Sequence, residues 1–453
     1  MILFKNAAYS GKTLDLLITE NAGENAKMGF SFAEDEFHKN YQNYGSNYGK
    51  QGGRIAALAE NIAPSAYGAE NCTVIDMAGK VLFPSLIDVH VHFRDPGMEW
   101  KEDINTGLEA ALHGGYSHVF CMANTSPVND NAGITRYMLE KARNTHPHGP
   151  FLHPVAAATL GLKGEALAPL GEMAEAGCTA VSNDGVPLTS TEIVRRVMEY
   201  GSDLDMLFVD HCEDPYLARG AHMNEGRLSA KLGVKGQPDI GEALQVGRDI
   251  MLSEYLNIPV HICHVSCRKS LDLIRRAKGR GVDITAETCP HYLLLDENAI
   301  DNYNTNAKVN PPLRTWNDVL AMREAVKSGL IDCLITDHAP HSAQEKENPL
   351  DMVPNGISGL DTALALLWKL VCEGVFTQED IVRAYTVNPG KRFKVPYNSF
   401  AKGNVADFFF FDPAIEWVVN KDNFYSKSAN TPFLGQTLQG RVCTHYLGGK
   451  KVF

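Results

Sequence analysis

The sequence predicts an α/β fold: a (β/α)8 barrel of the TIM type, with a small β-sandwich domain formed by both chain ends. Three observations carry that expectation. The first is length, since 453 residues exceed one ordinary core and point to a large domain with a smaller one beside it. The second is an alternation of eight apolar, strand-length runs with amphipathic helical stretches, which fits a closed barrel where fewer strands would favour a doubly wound sheet. The third is the loss of that alternation at both ends, which read as short strands between polar turns.

Taken in order, residues 1–6, 14–18, 54–58 and 73–76 are strand candidates. Between them, residues 21–53 form an insert rich in Asn, Tyr and Gly; so little to bury makes it a loop. From Leu86 to Arg94 apolar and polar residues alternate with the period of a strand, the first of the barrel. Side chains two apart point the same way, so Asp88, His90, His92 and Arg94 share one face. Ile87, Val89, Val91 and Phe93 form the other. Further strands are expected at 117–122, 151–156, 179–183, 206–210, 259–264, 283–288 and 332–336. Helices at 104–113, 165–176, 191–200, 242–256, 268–280 and 316–328 separate them. After helices at 361–373 and 377–387, strands at 403–412, 416–419 and 441–447 return the chain to the end domain. The expected division is 83–394 for the barrel and 1–82 with 395–453 for the β domain.

Composition narrows the function class. A hydrophobic content of 44% and a charged content of 21% are those of a soluble globular protein. A net charge of −12 argues against nucleic-acid or anionic-membrane binding. There is no apolar run long enough to span a membrane, and the first residues lack the apolar core of a signal peptide. The ten cysteines are scattered without a C-x-x-C pair, so reduced thiols and a cytoplasmic location are expected. Cys263 and Cys267, on either side of His264, read as small buried residues.

Functional side chains of such barrels sit at the C-terminal ends of the strands. Those ends carry His90 and His92, then Asn124, Asp184, His211, His264 and Asp337 in turn. Four imidazoles and two carboxylates arriving at one rim, with no thiolate needed, suit two zinc ions with a carboxylate between them. Such a pair can hold a hydroxide at neutral pH. Asp337 stands where a carboxylate could accept that proton and pass it to a leaving nitrogen.

The motifs HVHFRDPG (90–97), MANT (122–125), NDG (183–185), DHCE (210–213), ICHVS (262–266), NPPLR (310–314) and TDHAPH (336–341) follow in fixed order. Over roughly 81–390 this set resembles the class I dihydroorotases of the amidohydrolase superfamily. The resemblance implies a zinc-dependent cyclic amidohydrolase interconverting dihydroorotate and N-carbamoyl-aspartate in pyrimidine synthesis. It implies His90, His92 and Asp337 on one Zn2+, His211 and His264 on the other, and Asp184 with hydroxide as the bridge. Arg94, Asn124 and His341 resemble the groups that hold the substrate carboxylate, and Asn310 a contact to its ring. Many relatives bridge with a carboxylated lysine; none lies near the end of strand four here, which counts against a hydantoinase-type enzyme on neutral ureides. The 355–361 loop, with Asn355 and Asp361, departs from the usual pattern. A homodimer and aspartate carbamoyltransferase are the implied protein partners. The other reading from that association is a non-catalytic scaffold subunit, though such subunits typically lack ligands.

Overall fold

The computed structural model describes residues 1–19 and 52–453. All of the 21–53 insert except Gly52 and Gly53 lies outside the described residues. The N-terminal segment supplies β1 (Ile2–Tyr9), β2 (Lys12–Ile18), β3 (Ile55–Ala59), β4 (Thr73–Asp76) and β5 (Val81–Pro84). β1 and β2 form an antiparallel hairpin through the turn at Ser10 and Gly11, both at positive φ.

Next come the strands of the parallel ladder: β6 (Leu86–Val91), β7 (Tyr116–Cys121), β8 (Phe151–Pro154), β9 (Ala156–Ala157), β10 (Ala180–Ser182) and β11 (Leu207–Asp210). A short parallel pair, β12 (Met223–Asn224) and β13 (Gly236–Gln237), sits in the loop after β11. The ladder resumes with β14 (Val260–Ile262), β15 (Ile284–Thr288) and β16 (Cys333–Leu334). Pairing runs β6-β7-β8 in one sheet and β9-β10-β11-β14-β15-β16 in another. Only Val155 separates β8 from β9. Past β16 the chain bridges back to β6, with Val91 opposite His338 and the His92 N–H donating to the His338 carbonyl at 2.8 Å. Asp88 clamps the same seam by accepting from the Thr336 N–H at 3.2 Å and its hydroxyl at 2.5 Å.

Helices follow the strands because apolar residues recur on one face and caps stop them. Ile104–Gly114 starts at Asp103, which accepts from the Thr106 N–H. It stops at Gly115, where φ is +87° and a Cβ would lie 2.7 Å from the Phe409 ring, so both backbone and packing demand glycine. Ala132–Thr145, Thr191–Asp203, Ile240–Leu256, Arg268–Gly279 and Trp316–Lys327 are its counterparts. The stretch expected to be helical from 165 is helical only over Leu170–Ala176, with Pro169 at its N-cap.

The chain then returns with β17 (Phe408–Val418), β18 (Thr437–Leu447) and β19 (Lys450–Lys451). The two ends do not make a sandwich of separate sheets. They form one eight-stranded mixed sheet, because β5 pairs with β1 on one side and β17 on the other. The sheet curls, so Phe4 of β1 meets Phe408, Phe410 and Tyr446 at ring separations of 5.4, 5.1 and 5.1 Å. Val81–Pro84 belongs to this sheet, and the parallel ladder begins at Leu86.

Candidate active site

The alternation from Leu86 to Arg94 does not persist. The strand ends at Val91, its register slips twice against β7, and Arg94 adopts φ +61°. Leu86, Val91 and Phe93 fall in one apolar cluster, while Ile87 and Val89 fall in another. Asp88, expected beside the histidines, is instead spent on the seam with Thr336. Burial pushes its carboxyl up to about 7, opposed by those hydrogen bonds.

His90 and His92 nevertheless converge with the other four metal candidates. Asp184 is the centre of the group. Its Oδ1 lies 3.5 Å from His90 Nε2, 3.3 Å from His211 Nδ1 and 3.4 Å from His264 Nε2, and its Oδ2 lies 3.6 Å from His92 Nε2. Asp337 Oδ1 stands 3.1 Å from His92 Nε2 and 3.8 Å from His90 Nε2. All six residues are buried. Burial alone would raise the Asp184 carboxyl, but His90, His211 and His264 hold it well below the usual range. Burial would also raise Asp337, and His92 and His90 draw it down. His264 and Asp337 sit at φ +28° and +47°, backbone conformations that L-residues rarely adopt and that cluster at functional sites.

The donor set fits a divalent metal pair. His90 Nε2 is buried and has no hydrogen-bond partner among the described residues, an arrangement that costs free energy unless a ligand answers it. His90, His92 and Asp184 form one group with ligand atoms within 4.8 Å of each other, and Asp184, His211 and His264 form a second, so Asp184 belongs to both. Only imidazole and carboxylate donors are involved, which suits zinc.

Glu287, which escaped the sequence reading, fixes the far side of His90. Its Oε1 lies 2.7 Å from His90 Nδ1 and its Oε2 lies 2.9 Å from His261 Nε2. A carboxylate on the second nitrogen sets the tautomer and directs Nε2 inward. The available signal was an acid inside the apolar strand ITAET.

The substrate candidates behave differently from the metal candidates. Arg94 is buried and has no acid within ion-pair distance among the described residues; its Nε donates to the Pro340 carbonyl at 3.3 Å, and Nη2 lies 3.4 Å from His341 Nε2. Another buried arginine, Arg314, donates to Ser266 Oγ, Asn224 Oδ1 and the Gln237 carbonyl at 2.8–3.0 Å, and its Nη2 lies 3.8 Å from Glu242 Oε2. His341 Nε2 also donates to the Asn355 carbonyl at 2.9 Å. Burial, reinforced by Arg94, Lys101 and Lys346, holds its imidazole far below the usual range, hence neutral. Asn124 Oδ1 lies 2.9 Å from His92 Nδ1, so its oxygen braces a metal candidate. Asn310 Nδ2 donates to Glu213 Oε2 at 2.6 Å and lies 3.5 Å from His211 Nε2. All ten cysteines are unpaired thiols, and Cys263 and Cys267 are buried as expected. Among the described residues no helix is long and apolar enough to cross a membrane.

A family model described as Dihydro-orotase-like matches residues 79–270. A protein of Syntrophus aciditrophicus (strain SB) named Dihydroorotase is 43% identical over 403 residues, 89% of this chain and 93% of its own. Namesakes in Geobacter metallireducens and Geobacter sulfurreducens are 45% and 46% identical, each across 89% of this chain and 94% and 93% of theirs. Among solved structures, an L-hydantoinase from Arthrobacter aurescens superposes with a TM-score of 0.79 at 21% identity, covering 100% of this chain and 95% of that one. A dihydropyrimidinase from Brevibacillus agri gives 0.75 at 19% identity, with 99% and 94% covered. At such identities the likeness is one of fold.

Proposed function

The chain belongs to the dihydroorotase family, and from that premise we propose how its residues carry the reaction. It is a hydrolase of a cyclic amide, interconverting dihydroorotate and N-carbamoyl-aspartate. The observation that carries the proposal is Asp184, whose carboxylate faces histidines from strands one, five and six at once.

In this reading His90, His92 and Asp337 would hold one Zn2+, His211 and His264 would hold the other, and Asp184 would serve both. Bound there, such ions acidify water and polarise the ring carbonyl. Asp337 takes the proton of the attacking water and delivers it to the ring nitrogen as the C–N bond breaks. Arg94 grips the substrate carboxylate, which a guanidinium recognises at two points. Its lack of an acidic partner supports that role, and neutral His341 beside it adds no competing charge. Asn310 faces the ring, and Asn124 serves the carboxylate through its amide nitrogen while its oxygen braces His92.

A filled ligand set favours catalysis over a non-catalytic scaffold, and an aspartate where hydantoinase-like enzymes carry lysine favours a charged substrate. The division into 1–82, 83–394 and 395–453 is proposed with β5 reassigned to the end domain, for which its pairing with β17 speaks. A cytoplasmic location, a homodimer and association with aspartate carbamoyltransferase complete the proposal; sedimentation with and without that enzyme tests the assembly. Metal analysis of the purified chain with a dihydroorotate assay tests the site: two zinc ions and turnover are expected. Turnover undiminished after complete metal removal would defeat it.

A further inference from the structure

The end domain reaches into the active site through one segment. After β17 the chain passes along the open end of the barrel, where the Tyr425 N–H donates to Asp361 Oδ1 at 2.7 Å and the Ser428 hydroxyl to the Lys101 carbonyl at 2.6 Å. It then buries Asn430 between two loops. An asparagine amide offers two N–H donors and an oxygen with two lone pairs. Here all four are used. Oδ1 accepts from the His341 N–H at 2.8 Å and the Ser358 hydroxyl at 2.7 Å. Nδ2 donates to the carbonyls of Ala339 at 3.1 Å and Gly356 at 3.0 Å. The main-chain carbonyl of Asn430 accepts from the Ser358 N–H at 2.8 Å as well.

The two loops so joined are the one after strand eight, which carries Pro340 and His341, and the one at 355–361. They approach closely: a Cβ on Gly356 would fall 2.5 Å from the Ala339 carbonyl oxygen. Pro340 and His341 are the groups that Arg94 touches. We infer that Asn430 is a positioning residue for the substrate pocket: by pinning Ala339–His341 to Gly356–Ser358 it sets where the Arg94 guanidinium points. This rests on the reading of Arg94 as the carboxylate anchor. It gives the end domain a part in substrate binding that the metal ligands do not need.

The test compares Asn430→Ala with Asn398→Ala, a buried asparagine whose bonds to the Asp407 carbonyl and the Phe400 N–H are remote from the loops. Both variants should lose thermal stability and keep their metal. Only Asn430→Ala should raise KM for dihydroorotate, by about ten-fold, as misplaced binding groups do. An unchanged KM, or an equal rise in both, would overturn the inference. If Asn430→Ala does not fold, Ser358→Ala removes only the hydroxyl bond and should still raise KM by about three-fold; no rise there is equally fatal. Arg94→Met separates the two ideas. If its KM is unchanged, the anchor reading fails and the Asn430 inference falls with it; if its KM rises while that of Asn430→Ala does not, the Asn430 inference alone fails.

Discussion

The metal half and the substrate half of this site are built by different means. His90, Asp184, His211 and His264 stand at or just beyond the ends of buried parallel strands, and their positions follow from the strand ladder itself. Arg94, His341 and Asn310 stand on loops, and each is placed by bonds to other loops or to the end domain. Even the charges differ. Every metal candidate has an opposite or neutral neighbour within about 4 Å, while Arg94 is a buried cation with no acid at ion-pair distance among the described residues. A rigid frame would suit bound ions, whereas the proposed carboxylate anchor is placed by contacts between loops.

That contrast can be broken or sharpened by substitution. The largest effect is expected from Asp184→Ala, since it removes a donor common to both metal groups: bound zinc should fall below one ion per chain and turnover should drop by more than about a thousand-fold. Asp337→Asn should come next, losing about a hundred- to ten-thousand-fold in kcat while KM changes little, as steady-state kinetics would record. Arg94→Met should spare metal content and raise KM about a hundred-fold, with dihydrouracil no worse a competitor than before. Glu287→Gln should lower zinc affinity about ten- to a hundred-fold in chelator competition, because His90 loses the carboxylate that orients it.

The smallest effect concerns pH and lies in the substrate half. Lys346 donates to the carbonyls of Thr305, Lys308 and Pro354, and burial, helped by Lys308 and opposed by Glu345, lowers its ammonium to about 7. An unfolded lysine titrates near ~10.4, so between these values the unfolded chain binds more protons and folding stability rises with pH. Thermal unfolding followed from about pH 7 to 10 should show that rise, and Lys346→Met should flatten it.

Much of the metal half was legible in the sequence because strand periodicity and strand ends are local properties. His90-x-His92, Asp184, His211, His264 and Asp337 stand out through their joint placement at strand ends, since His211 or Asp337 alone would read as structural. The Leu86–Arg94 alternation misled because two register slips and the left-handed turn at Arg94 depend on what β7 and the strand-eight seam require. The sandwich was misjudged since strand count does not reveal that β5 joins the two end segments edge to edge. Asn430 could not be found this way: its partners lie about 70 to 90 positions earlier, and nothing in SANT distinguishes it from a turn.

Synthesis runs from the first residue to the last, and this gives the placement of Asn430 a temporal meaning. The last of the six metal candidates to be made is Asp337, and the segment that fastens the neighbouring loops follows nearly a hundred residues later. All six metal candidates are thus synthesised before the residue that joins the loops around Arg94, so the order of synthesis separates the two halves of the site.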